Sequence, residues 1–221
     1  SNNSQPIPKF GIYYNISFKK RPNLSFETGI AHGKFDSNKF YKDAPYLHEK
    51  FVYLINKKSS FEYGIGFVHE AMWGGNIIIG KHPGKQPSSF KDFLKVFISA
   101  DGPLREGEPH PNALGNHLGI WDFSIEKKNN DKILKLYYQH LFEDTSGLRF
   151  ANQTDGLWGV ELENYIPNNT TVIEFIDTSN YNINPPYVFD KYYYHHIYKL
   201  GWSYKNFTLG NPFIEHQNFS P

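Results

Sequence analysis

The feature that most constrains this chain is the rhythm of its connections. Runs of alternating apolar and polar residues, about 8–11 long, are joined by links that are short, then long, then short again. The short links are Lys19–Asn23, Asn56–Ser60, Lys127–Asp131 and Ile166–Asn169; the long ones are Lys34–Leu47, Ala71–His117, Glu143–Asp155 and Ser179–Lys191. Tilted strands of that length cross a bilayer. A soluble sandwich has no reason to gather its tight turns at one end. An outer-membrane barrel does, with short turns on the periplasmic side and long loops outside.

The alternation is clearest over Lys9–Lys19, where Phe10, Ile12, Tyr14, Ile16 and Phe18 share one face. Hairpins are expected around Lys57–Ser60, Lys128–Asp131 and Pro167–Asn169, whose residues suit tight turns. A fourth hairpin is expected over Tyr192–Ser203 and Phe207–Phe213, which brings the total to roughly ten strands. Trp121, Phe123, Val160 and Leu162 join Phe10, Ile12 and Ile16 as the lipid-facing set. Carboxylates recur on the opposite faces, at Glu62, Asp122, Glu126, Glu161 and Glu163. Lipid would reject them, so they face water or a polar lumen. A solvated sandwich face accepts them equally well, and the loop rhythm decides between the two.

Composition leaves the barrel and a soluble β-protein about even. The chain has 221 residues, 16 Tyr, 19 Phe and 4 Trp, no Cys, and a net charge of +1. Rings in that number suit the aromatic girdles of a barrel, and suit a Tyr-rich carbohydrate-binding β-protein as well. The near-neutral balance gives no electrostatic reason to expect nucleic acid. Without Cys there is no disulfide framework, thiolate metal site or Cys nucleophile. No apolar run approaches a transmembrane helix, and the polar Ser1–Pro8 is no signal peptide.

One segment departs from the β pattern. Ser88–Phe97 has a Ser cap and apolar residues at Phe90, Phe93, Leu94 and Phe97, the spacing of a short amphipathic helix. It lies in the longest link, 71–117, and an apolar stripe there suggests a loop packed across or inside the barrel mouth, as a lumen plug. No composition shift marks a second domain, so 1–221 reads as one barrel domain.

Polar and aromatic side chains collect at the ends of the long links. Trp73, His69, Glu70, Asn116, His117, Tyr138, Gln139, Glu143, Asp144 and Arg149 are the candidate polysaccharide-binding residues. Rings stack on sugar C–H faces, amides and carboxylates bond hydroxyls, and Arg149 suits an acidic sugar. The commoner role of such groups is to brace one another in a polar interior. His69, Glu70, His117 and His140 match no zinc spacing, so no metal site is expected. His195 and His196, adjacent on a strand, would point to opposite faces. Glu143 and Asp144 have no partner carboxylate placed across a sugar, and there is no nucleophile elbow, P-loop or dinucleotide fingerprint. No catalytic residue and no cofactor is expected.

Five motifs occur in order: His69-Glu70-Ala71-Met72-Trp73-Gly74-Gly75, then Asn112–Gly119, then Tyr138-Gln139-His140 with Glu143–Arg149, then Asp155–Gly159, then Gly201–Tyr204 with Gly210-Asn211-Pro212. Together they resemble the Wzi-type capsule assembly family in its Bacteroidota-like form. The resemblance implies an outer-membrane β-barrel that holds or assembles capsular or other surface polysaccharide, lectin-like and not enzymatic, with lipid as its second partner. It also implies a chain that forms part of a larger barrel. Two other readings stay open here: a porin-like channel, and a soluble β-sandwich carbohydrate-binding module or enzyme.

Overall fold

The computed structural model describes residues 5–108, 110–143, 148, 150–179 and 192–210. In chain order the elements are β1 (Lys9–Phe18), β2 (Arg21–Lys34), β3 (Tyr41–Asp43), β4 (Tyr46–Lys58), β5 (Phe61–Trp73), β6 (Asn76–Ile77), β7 (Gly84–Lys85), α1 (Phe90–Phe97), β8 (Asn116–Asn129), β9 (Lys132–Phe142), β10 (Gly156–Glu163), β11 (Thr170–Asp177), β12 (Ser203–Tyr204) and β13 (Phe207–Thr208). Eight of the strands form one antiparallel sheet in the order β1-β2-β4-β5-β8-β9-β10-β11. Each strand pairs with the next long strand in the chain, so the sheet is an up-and-down meander. It is all-β and barrel-like but does not close: among the described residues β1 and β11 each pair on one side only. Among the described residues no helix is long and apolar enough to cross a membrane.

The tight turns form where local chemistry allows left-handed backbone. Ser59 (φ 53°) and Asn130 (φ 55°) turn two hairpins, and Asn164 and Asn168 (φ 58° each) turn the third. Asn tolerates that region better than bulkier residues. The expected fourth hairpin is much reduced. Lys205 and Asn206 do make the turn, but it joins only the two-residue β12 and β13, and 192–202 is a series of turns. Among the described residues the main sheet therefore has eight strands rather than ten, and Asn211–Phe213 of the expected hairpin lie outside them. Pro-free alternation is not enough to make residues 192–202 a strand when their side chains are used to fill a core.

Cross-strand register sorts the side chains onto two faces. On one, Ile12 faces Ile30, Leu54 faces Ile65, Ile65 faces Phe123, and Val160 faces Ile173. This face is most open towards its two edge strands, where Phe10 is 77 % exposed, Ile12 73 % and Ile173 62 %, while Ile30, Phe123 and Val160 are half-buried. The other face carries Glu27, Glu62, Asp122, Glu126, Glu161 and Glu174. On that face a ring lies over the glycine opposite it. A Cβ added at Gly66 would fall 2.2 Å from the Tyr53 ring, and one at Gly159 2.0 Å from Tyr137. The pairing lets large rings lie flat along the sheet.

Both faces are covered at the end with the long links. Over the carboxylate-bearing face, Leu47 and Met72 pack with Tyr41 of β3, Ile77 of β6, and Tyr198 and Trp202 of the chain's last described segment. Met72 and Trp202 are all but fully buried. Over the apolar face, Ala71 and Trp73 pack with Val96 and Phe93 of α1 and with Leu114. The helix therefore lies over the apolar face and not over the carboxylate-bearing one. The short strands and residues 192–204 cover that face instead. The physical reason is the helix's own stripe: Phe93 and Phe97 meet the rings of His32, His48 and Trp73 on the apolar face.

Candidate functional site

The sheet divides the expected glycan-binding residues. His69, Trp73, His117 and Tyr138 belong to the apolar face; Glu70, Asn116 and Gln139 belong to the other. Side chains on opposite faces of one sheet cannot line one site. Asp144 and Arg149 lie outside the described residues.

On the apolar face the residues brace one another. His117 Nε2 lies 3.2 Å from the Leu114 carbonyl, which only accepts, so that nitrogen carries the proton. Its Nδ1 is then an acceptor, and His69 Nε2 donates to it across 2.9 Å. Ser99 Oγ joins the pair, 3.0 Å from His69 Nε2. The two rings are buried and stacked at 5.1 Å. Trp73 is also buried, between Tyr46 and Phe93, and presents no free ring to a sugar. Next to this cluster, the Lys50 ammonium sits over the Phe97 ring and donates to the Phe97 carbonyl at the end of α1. The helix C-terminus, negative by its dipole, thereby pairs a cation on an otherwise apolar face.

Further across the same face, Tyr138 stacks on Trp158 at 4.0 Å, and its hydroxyl donates to the Asp155 carbonyl at 2.9 Å. The His140 ring stacks on Phe150 at 4.2 Å, and Phe150 also lies over Trp121. An apolar groove of about 670 Å³ follows these rings, lined in part by Phe123, Tyr138, Trp158 and Phe175.

The carboxylate-bearing face has a groove of about 460 Å³. Asp122 Oδ2 accepts from Tyr53 and from Gln139, each at 3.2 Å. Tyr137 donates to Glu174. Glu49 and Glu70 face each other across β4 and β5, and Lys9 pairs with Glu49. Of the expected residues, only Gln139 lines this groove. Tyr53 and Tyr137, which do line it, were not singled out. Their parity with Asp122 and Glu161 was the available signal, and it needs the cross-strand register to be read. Glu143 lies elsewhere, accepting the Tyr193 backbone N–H in the cap. In the same cap, burial and the neighbouring Tyr41 push the Tyr198 hydroxyl above its ordinary range. It stays protonated and donates to the Gly74 carbonyl at 3.1 Å.

A model of the capsule assembly protein Wzi family matches residues 1–216. The chain belongs to the Wzi family. Neither the curated proteins nor the solved structures compared with it give a match. Membership gives this Wzi-family chain a role in capsule assembly. His69, Trp73, His117, Tyr138 and Gln139, all within the family match, brace the sheet and the segments that cover it.

Proposed function

We propose that this Wzi-family protein sits in the bacterial outer membrane, apolar face on lipid and carboxylate-bearing face inward. There it holds capsular polysaccharide at the cell surface without altering it chemically. The family match over nearly the whole chain carries this reading. The two-faced sheet supports the membrane placement, because exposed rings and aliphatic groups on one face are what hydrocarbon accepts. The long links, gathered at one end, supply the surface that meets polysaccharide. Affinity arises from many weak contacts along a repeating chain rather than from one deep pocket.

The test is a cell lacking this gene. Capsular polysaccharide should appear in the medium instead of on the cell, and the gene supplied in trans should restore it. A capsule that stays cell-bound without the protein would sink the role. Purified protein incubated with the polysaccharide should release no new reducing ends, and release of such ends would overturn the non-enzymatic reading.

A further inference from the structure

Three side chains from separate links meet outside the main sheet. His82 lies between β6 and β7, Glu108 in the stretch between α1 and β8, and His196 in the segment after β11. His82 Nε2 is 3.1 Å from Glu108 Oε1, and His196 Nε2 is 3.2 Å from the same oxygen. The ligand-capable atoms of all three lie within 4.8 Å of one another. No other group of three such side chains is this close among the described residues.

The positions are held from behind. The Glu108 side chain is 5 % exposed, and its second oxygen accepts from Asn112 Nδ2 at 3.3 Å. The His196 ring packs on His195 at 4.5 Å. His195 is itself fixed, its Nδ1 accepting the Ile197 and Tyr198 backbone N–H groups at 3.3 Å each. The His196 carbonyl accepts the Lys81 N–H at 3.0 Å, which ties the His82 link to the His196 segment.

We propose that His82, Glu108 and His196 form a binding site for a divalent transition-metal ion, zinc foremost, that cross-ties these three links. Two imidazoles and a carboxylate are a donor set that zinc accepts. Ligand bonds of about 2.0–2.1 Å in a tetrahedron put neighbouring ligand atoms roughly 3.3 Å apart, close to the 3.1 and 3.2 Å between Glu108 Oε1 and the two imidazoles. Calcium and magnesium prefer oxygen ligands throughout and are disfavoured here. Three protein ligands leave a fourth position for water. Two cations oppose the ion: Arg105, which donates to Gln86 Oε1 at 2.9 Å, lies near enough to disfavour charge on His196, and Lys81 Nζ lies 3.6 Å from Glu108 Oε1. The Lys81 side chain is 47 % exposed, so it can swing into solvent when a metal enters.

The test uses the full chain in detergent, stripped with a chelator and titrated with zinc chloride against a chromogenic competitor. One equivalent should bind. His82→Ala and His196→Ala should each weaken binding at least tenfold, and Lys81→Ala should tighten it. His32→Gln, on the apolar face of the sheet, should leave it unchanged. Zinc should also slow protease cleavage between residues 81 and 112 in the wild type but not in the double His variant. The proposal is overturned if the wild type takes up no zinc. It is equally overturned if the double variant, matching the wild type's circular dichroism in chelator, binds zinc as well as the wild type. Binding of calcium in preference to zinc would overturn the donor assignment.

Discussion

Individual residues at the capped end hold the structure by filling space. Trp202 is 1 % exposed and packs against Phe35. Trp202→Ala should cost about 3–5 kcal/mol, read as a lower midpoint of urea unfolding in detergent. Gly66 is a steric requirement of a different kind. A side chain there meets the Tyr53 ring at 2.2 Å and forces it off Asp122. Gly66→Val should destabilise by about 1–3 kcal/mol through overpacking, in the same urea titration. Much of this scale could not be read from the sequence. The motif around His69 and Trp73 was visible, yet the burial of those two side chains on the apolar face was not, because it depends on what α1 lays over them. His82, Glu108 and His196 follow no spacing rule, because three separate links must fold before they become neighbours.

At the scale of elements, α1 is the clearest case of local sequence deciding structure. Ser89 Oγ accepts the Asp92 N–H at 3.2 Å, and Asp92 Oδ2 accepts the Ser89 N–H at 2.9 Å, a complete capping box. Ser89→Ala should lower helix stability by about 1 kcal/mol, seen as faster proteolysis within 90–97. The Ser89 bonds also hold the Asp92 carboxyl below its ordinary value of 3.8. A lowered folded value means the contribution is present above the unfolded value and is lost as pH falls through the folded one. Acid below about pH 4 should therefore speed cleavage of the same segment, and Asp92→Asn should abolish that pH dependence. The hairpins were legible for the same reason as the helix, since period-2 alternation and Asn-rich turns act over a few residues. Residues 192–202 misled because Tyr and Ile suit a strand and a core alike; Tyr198 and Ile197 are used for the second. The helix was legible as a helix, but its side of the sheet was not, since that choice depends on rings from β2, β4 and β5.

For the whole molecule, the proposed membrane placement predicts that the two faces differ in what they tolerate. Ile65 lies on the exposed apolar face, opposite Leu54 and Phe123. Ile65→Arg should cost about 2–4 kcal/mol in lipid vesicles if it lies near the bilayer midplane. Glu161→Gln, on the other face, should change stability by less than about 0.5 kcal/mol in the same vesicles. The packed cap over the carboxylate-bearing face argues against free passage. Protein reconstituted into planar bilayers should show no unitary conductance, and steady channels would favour the porin-like alternative.

The cap is sewn from the two ends of the chain. The main sheet can zip strand by strand, because every pairing is between successive long strands. The cap cannot: Tyr198 reaches back to Gly74, and Lys205 to Asp36 and to Gln5. Contacts so distant in sequence form late, after loop-closure entropy has been met. On folding the meander is thus laid down first with its capped end unsealed, and the arrival of residues 192–205 acts as a latch. A chain halted before residue 192 would keep its ladders but leave its outermost core unbuilt.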